Sequence, residues 1–216
     1  MTAPTLASFT GARDRDGSVR LVQDGGHVAR HDVGRWLRDA DATDRRALSL
    51  CDGPTLDIGC GPGRLTVALT LGGACALGID ICAEAVAMTQ ERGAAAIRRD
   101  VFSRLPGEGR WRWAVLADGN LGIGGNPERL LRRLGHLVDP EGGAVVEVCP
   151  HEVDHRGTAR LQQADGSLGA AFPWAVLGAQ ALAAAAGRSG WHTGQSWLDG
   201  DRRFVVLRRP AAATAA

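Results

Sequence analysis

The residues best suited to chemistry lie in the segment Leu56-Asp57-Ile58-Gly59-Cys60-Gly61-Pro62-Gly63-Arg64. It joins a short apolar run, Thr55 to Ile58, to a helical pattern from Arg64 to Leu71. Three glycines at alternate positions let the backbone turn tightly and approach a ligand with no Cβ in the way. Glycine turns of this kind also cradle nicotinamide and flavin dinucleotides, whose fingerprint is Gly-x-Gly-x-x-Gly. Here the third glycine, Gly63, arrives one position early. Asp57 precedes the turn, where a carboxylate repels a pyrophosphate and suits a cation. Asp80 ends the next apolar run about 20 residues on, the place where an acid accepts hydrogen bonds from both ribose hydroxyls. Asp100, followed by Val101, ends a third run and can meet an adenine amino group. The set suits an adenosine-containing ligand that carries positive charge and no phosphate.

These residues need a scaffold, and the rest of the chain predicts one. Apolar runs at Thr55 to Ile58, Ala74 to Ile79, Ala94 to Arg99, Trp113 to Ala117 and Gly143 to Cys149 read as strands. Helical stretches separate them: Arg64 to Leu71, Ala83 to Arg92, and a helix opened by Asn126-Pro127-Glu128, a cap followed by Pro in the first turn. Strands alternating with helices predict a doubly wound, mostly parallel α/β sheet of seven strands, Rossmann-like, with ligands at the carboxyl ends of the strands. Trp191 to Leu198 and Arg203 to Leu207 flank Asp199-Gly200-Asp201 and predict a C-terminal antiparallel hairpin. Upstream, Ser18 to Val22 and His27 to Val33 read as a hairpin and Gly34 to Leu50 as one helix, so residues 1–50 are expected to form a cap over the substrate site. Residues 51–210 form the ligand-binding domain and 211–216 a flexible tail. Pro173 to Ala186 reads as a helix, and residues 151–172 as a long non-helical segment covering the substrate.

The motif from Leu56 to Arg64, Asp80, Asp100-Val101 and the run Trp113 to Asp118 together resemble the ordered motifs of class I S-adenosylmethionine-dependent methyltransferases. The resemblance spans roughly Asp52 to Pro150, with the terminal hairpin in outline. It implies S-adenosylmethionine as cofactor and S-adenosylhomocysteine as product. It places Gly59, Cys60, Gly61 and Gly63 beneath the methionine and ribose, Asp57 near the methionyl ammonium and Asp80 on the ribose hydroxyls. It also places Ile81 on the adenine face, Asp100 and Val101 at the adenine edge, and the backbone around Asp118 at the methionine end. The reaction implied is in-line displacement at the sulfonium methyl by a small-molecule acceptor, whose attacking atom (O, N, C or S) the sequence leaves open.

The acceptor signature is thinner. Ala117-Asp118-Gly119-Asn120 lacks the Pro-Pro-aromatic continuation of enzymes that methylate nucleobase amino groups, and Asn120 can hydrogen-bond cofactor or acceptor. Pro150-His151-Glu152-Val153-Asp154-His155 follows the fifth core strand; His151 is the best candidate base there, with Glu152, Asp154 and His155 as acceptor contacts. His27, His31, Asp32 and Trp36 are candidates for lining the pocket. No metal site is expected.

Composition narrows the field. Lys+Arg total 25 against Asp+Glu 24, a net charge of +1, which favours neither nucleic acid nor an anionic membrane as a partner. Every cation is Arg, so Schiff-base lysine chemistry and a lysine-dependent P-loop are excluded, and with no Tyr so is tyrosine acid catalysis. Five scattered cysteines without a C-x-x-C pair, and no signal-like apolar start, predict a reduced cytoplasmic protein, monomeric or homodimeric. Two other readings stand behind the methyltransferase: a noncatalytic cofactor-binding or scaffold subunit, and, further back, a nicotinamide-dependent oxidoreductase.

Overall fold

The computed structural model describes residues 18–24, 26, 28–163 and 165–210; the tail from 211 and His27 lie outside them. The central runs form a seven-stranded sheet. In chain order its strands are β3 (Thr55–Ile58), β4 (Ala76–Asp80), β5 (Ala96–Arg98), β6 (Trp111–Leu116), β7 (Val138–Val148), β10 (His192–Asp199) and β11 (Arg202–Arg208). Their spatial order is β10-β11-β7-β6-β3-β4-β5. The five strands from β7 to β5 pair in parallel, and β11 runs antiparallel to both β7 and β10. The topology is the mostly parallel doubly wound sheet with a terminal hairpin that the sequence predicts.

Both faces of this sheet are covered, which is why its central strands read as unbroken apolar runs. Along β6, Ala114 and Leu116 join Leu56, Ile58 and Ile79 on one face, against Leu130 and Leu134 of the helix Pro127–Leu137. Trp113 and Val115 turn to the other face and pack with Leu65 and Leu69 of the helix Arg64–Leu71, and with Ala47 and Leu48. The period-two alternation of β6 therefore distributes one strand between two cores. The rule that ligands gather at the carboxyl ends of parallel strands points to the loops after Ile58, Asp80 and Leu116.

Two expectations need correction. The segment read as one helix over Gly34 to Leu50 is two short ones, α1 (Val33–Leu37) and α2 (Ala42–Leu48). The break is made by a capping box: the Asp41 carboxylate accepts from Asp44 N–H at 2.8 Å, and that of Asp44 accepts from Asp41 N–H at 3.0 Å. Residues 151–172 are non-helical as expected, and they contain β8 (Asp154–Gln162) and the start of β9 (Leu168–Leu177). The same β9 takes the first five residues of the expected helix Pro173 to Ala186, which begins at Ala179 instead and runs to Gly187. Pairing of His155 with Val176 and Asp154 with Leu177 overrides the helical bias of this Ala-rich stretch.

With β1 (Ser18–Gln23) and β2 (Val28–Asp32), these strands build a second, antiparallel sheet in the order β2-β1-β8-β9. Its inner face has its own core of Val19, Leu21, Ala159, Leu161 and Phe172, closed by Val33 of α1. Leu21 pairs with Leu161, so the amino-terminal hairpin and the segment after β7 fold as one covering layer. That layer sits tightly on the glycine-rich loop after β6. A Cβ at Gly122 would come within 2.2 Å of the Ala175 carbonyl oxygen, so only glycine permits this approach.

Candidate active site

The loops after β3, β4 and β6 meet the covering sheet around a cavity of about 540 Å³, within the roughly 300–1,000 Å³ range of small-molecule sites. Asp57, Gly59, Cys60, Gly61, Asp80 and Ile81 line it on the side of β3 and β4. Asp100, Val101, Asp118 and Asn120 line it too. Of the residues singled out from the glycine motif, Gly63 is not in the wall. It faces the helix Ala83–Glu91: a Cβ there would stand 2.6 Å from Thr89 Oγ1, so it serves the packing of that helix.

Asp80 organises the glycine turn. One carboxylate oxygen accepts from Gly61 N–H at 2.9 Å, the other from Cys82 N–H at 2.8 Å. Burial raises its pKa above the ordinary carboxylate value, against the pull of these N–H bonds. Asp57 is buried at the end of β3 and accepts from the Thr66 hydroxyl at 2.6 Å. Burial pushes it up to about 6, opposed by that hydroxyl and by Arg64. Asn120 donates its amide to Ile58 O at 2.8 Å and Gly59 O at 3.0 Å, clamping the turn from above. Asp100 is exposed and accepts from Phe102 N–H at 2.9 Å, which holds Val101 buried beneath it. A Cβ at Gly61 would meet no heavy atom within 4 Å, so the turn presents bare backbone to the cavity. Bare backbone between paired acids fits a cationic nucleoside such as S-adenosylmethionine.

Beneath Asp118 lies a buried ionic network that the sequence did not reveal. Arg64 pairs with both Asp44 and Asp118. Arg202 donates to Asp44 at 2.7 Å and to Glu147 through two bonds of 2.8 Å. Asp118, at φ 53°, donates its N–H to Glu147 at 2.8 Å. Arg35 acts on Asp118 and Glu147 as well, and burial raises the Asp118 carboxyl above its ordinary value. Arg64 adjoins the glycine motif; its partners come from α2 and the loop after β6, and Glu147 and Arg202 join from β7 and β11.

The acid–base candidates fall differently from expectation. Neither His151 nor Glu152 lines the cavity. Both are exposed, and Glu152 accepts from Gln180 N–H at 3.1 Å, capping the helix that begins at Ala179. Asp154 pairs with Arg156 at 2.6 Å, and neither it nor His155 lines the cavity. Asp32 caps α1 through Arg35 N–H at 3.0 Å. His31 and Trp36, by contrast, are in the wall, beside Leu21, Phe172, Pro173 and Trp174. Burial holds the His31 imidazole below its ordinary value; Arg35 acts in the same direction, while Glu147 and a bond to the Asp118 backbone act against it. Its Nε2 is buried without a hydrogen-bond partner, a condition that costs about 1–3 kcal/mol unless a ligand relieves it.

Residues 56–146 match the family described as the methyltransferase domain. No curated protein sequence matches the chain. Among solved structures, the domain is similar to an S-adenosylmethionine-dependent methyltransferase from Bacteroides fragilis in complex with S-adenosylhomocysteine. The identity is 21% and the TM-score 0.73, with 97% of this chain and 98% of that one covered; at that coverage the likeness takes in both sheets. It is also similar to 1,6-didemethyltoxoflavin-N1-methyltransferase from Burkholderia thailandensis (21% identity, TM-score 0.57, 79% of each chain). A third likeness is to magnesium protoporphyrin IX methyltransferase from Synechocystis (15% identity, TM-score 0.57, 79% of this chain and 77% of that one). These likenesses establish the methyltransferase fold. Among the described residues no helix is long and apolar enough to cross a membrane.

Proposed function

We propose that the protein transfers a methyl group from S-adenosylmethionine to a small-molecule acceptor. The observation that carries this reading is the division of one cavity between two kinds of wall. Acidic strand ends and bare glycine backbone stand on one side, and the aromatic covering sheet stands on the other. On this reading Asp80 takes the ribose hydroxyls with the carboxylate lone pairs left over from Gly61 and Cys82. Ile81, half exposed in the wall, packs on the adenine face. Asp100 and Val101 meet the adenine edge, and Asp57 and Asp118 hold the methionine end, its ammonium nearest the acids.

Bound S-adenosylmethionine supplies an already activated methyl group. The chain's own task is to hold an acceptor lone pair in line with it and to keep water away, and such positioning lowers a barrier by about 7–11 kcal/mol. The covering sheet does this by packing on the loop after β6. Closure of the cavity by that sheet, with a net charge of +1, favours a metabolite over a nucleic acid. The bound 1,6-didemethyltoxoflavin of the Burkholderia enzyme supports a small acceptor for this fold. A cavity of about 540 Å³ beside the acidic wall favours catalysis over a purely scaffolding role. The test is incubation with methyl-labelled S-adenosylmethionine and a fractionated cell extract. Label in the low-mass fraction with release of S-adenosylhomocysteine is expected; label in protein or RNA alone would overturn the reading.

A further inference from the structure

Every acidic or arginine side chain in the cavity wall but two has a partner or a place in the cofactor reading. Asp57, Asp80, Asp100 and Asp118 belong to the cofactor side, and Arg64 is held by Asp44 and Asp118. The two left over are both cations, Arg99 and Arg129, and among the described residues neither is in an ion pair. The exposed members of the wall are Ile81, Arg99, Asp100, Gly124, Arg129 and Pro173, and these mark its mouth. Arg129 is the better fixed of the two cations. Its guanidinium carbon stands 4.0 Å from the centroid of the Phe102 ring, a cation–π contact that holds the charge over the ring. The helix Pro127–Leu137, which carries Arg129, also ties that ring down. Arg133, one turn on, donates to Val101 O at 2.8 Å and Ser103 O at 2.5 Å, the carbonyls on either side of Phe102. The acid next in sequence, Glu128, is taken by Arg156 at 2.7 Å and Arg188 at 2.6 Å. Gly124 and Gly125 lead from this platform to the covering sheet: a Cβ at Gly124 would stand 3.0 Å from Phe102 Cε2, and one at Gly125 3.1 Å from Pro173 Cβ. Arg129 therefore stands where the adenine edge adjoins the covering sheet.

Resting on the methyltransferase reading above, we infer that the methyl acceptor carries an anionic group, a carboxylate or a phosphate, and that Arg129 at the mouth of the cavity binds it. A guanidinium seated on a fixed ring presents a rigid fork of N–H donors that matches two oxygens of either group. Arg99 adds a second positive charge to the same mouth. No acid stands among the described lining residues of the covering sheet, so a cationic acceptor finds no partner there. The anionic end of the acceptor stays beside water, where a charge keeps much of its hydration. Its reactive end passes inward along Leu21, Phe172 and Trp174 toward the sulfonium. Arg129 is thus a positioning residue that sets specificity, and it takes no part in the bond change. Because the anion is held away from the reacting atom, the methylated product keeps its charge.

The first test uses the full chain, saturated with S-adenosylhomocysteine and 15N-labelled at arginine, with the Arg129 Nε resonance assigned against Arg129→Gln. Hexanoate or hexyl phosphate is expected to move that resonance, and hexanamide and hexylamine are not; whichever anion acts at the lower concentration identifies the group. No movement with either anion overturns the proposal. The second test follows the product formed from methyl-labelled S-adenosylmethionine and the low-mass fraction of a cell extract. The labelled product is expected to be retained on an anion exchanger at pH 7, and a neutral or cationic product overturns the proposal. Arg129→Gln is expected to raise KM for that fraction roughly 10- to 100-fold, the scale of hydrogen bonds to a charged group, with little change in kcat. Arg129→Lys should recover part of the loss, since it restores the charge without the fork. Affinity of Arg129→Gln for S-adenosylhomocysteine should match the wild type; a loss there equal to the rise in KM would assign Arg129 to the cofactor and overturn the proposal, as would an unchanged KM. Failure of S-adenosylhomocysteine to bind the wild type, seen before any probe is added, would instead overturn the cofactor reading beneath it.

Discussion

Asp80 joins the cofactor side of the cavity to the fold, and its replacement separates two contributions. Its two carboxylate oxygens already accept from Gly61 and Cys82 N–H, and on the proposed reading their remaining lone pairs receive the ribose hydroxyls. Asp80→Asn keeps one acceptor oxygen for the backbone and puts an NH2 donor where the second stood. Losing a charge-assisted hydrogen bond to a ribose hydroxyl costs about 1.5–3 kcal/mol, which raises Kd for S-adenosylhomocysteine roughly 10- to 150-fold. Asp80→Ala also strips acceptors from two partly buried N–H groups, at about 1–3 kcal/mol each, so it should lower stability as well as affinity. Calorimetric titration with S-adenosylhomocysteine and its 2′,3′-dideoxy analogue distinguishes the two effects. For Asp80→Asn the loss should appear with the parent nucleoside and vanish with the dideoxy analogue. An equal loss for both ligands, or no loss for either, would refute the ribose assignment and leave Asp80 with the turn alone.

Three further perturbations test other parts of the account. Asp57 has a folded pKa of about 6, above the ordinary value near 3.9, so its protonated form favours the native state. Its contribution to stability is full below the ordinary value and lost as pH rises through about 6. Affinity for S-adenosylhomocysteine should rise over the same window as the carboxylate forms; Asp57→Asn should flatten both profiles, and an unchanged profile would contradict the assignment. Arg202→Met would leave Asp44, Asp118 and Glu147 with Arg64 and the more weakly acting Arg35. Breaking such a buried set costs about 3–5 kcal/mol, or roughly 6–20 °C in Tm, and a loss under about 1 kcal/mol in urea unfolding would contradict the network. Gly122→Ala would drive a Cβ to 2.2 Å from the Ala175 carbonyl oxygen. It should cost about 1–3 kcal/mol and raise hydrogen exchange in β9, and unchanged exchange there would contradict the packing of the covering sheet on the loop.

How far the sequence carried depended on how local each feature is. The turn from Gly59 to Gly63, with Asp57 before it and Asp80 after the next strand, is written within about 25 consecutive residues, so type and spacing suffice. The alternation of apolar runs with capped helices likewise announces the parallel sheet. The covering sheet has no such local record, because it forms only when Leu21 meets Leu161 across most of the chain. Without that pairing, Pro173 to Leu177 looks like the start of an alanine-rich helix. The ionic network is equally non-local: Arg202 reaches Asp44 over 158 residues, and neither stands out among the chain's many charges. The histidines illustrate both sides. His151 follows a core strand and drew attention by position, yet it lies outside the cavity wall; His31 enters that wall because the hairpin from β1 to β2 folds over the carboxyl ends of the strands.

The central claim is that the cavity between the glycine turn and the covering sheet holds a sulfur nucleoside. The most direct measurement is calorimetric titration of ligand-stripped protein with S-adenosylmethionine, S-adenosylhomocysteine and NADH. The account predicts micromolar binding of both sulfur nucleosides and none of NADH. Binding of NADH alone would contradict it and assign the turn from Gly59 to Gly63 to a dinucleotide.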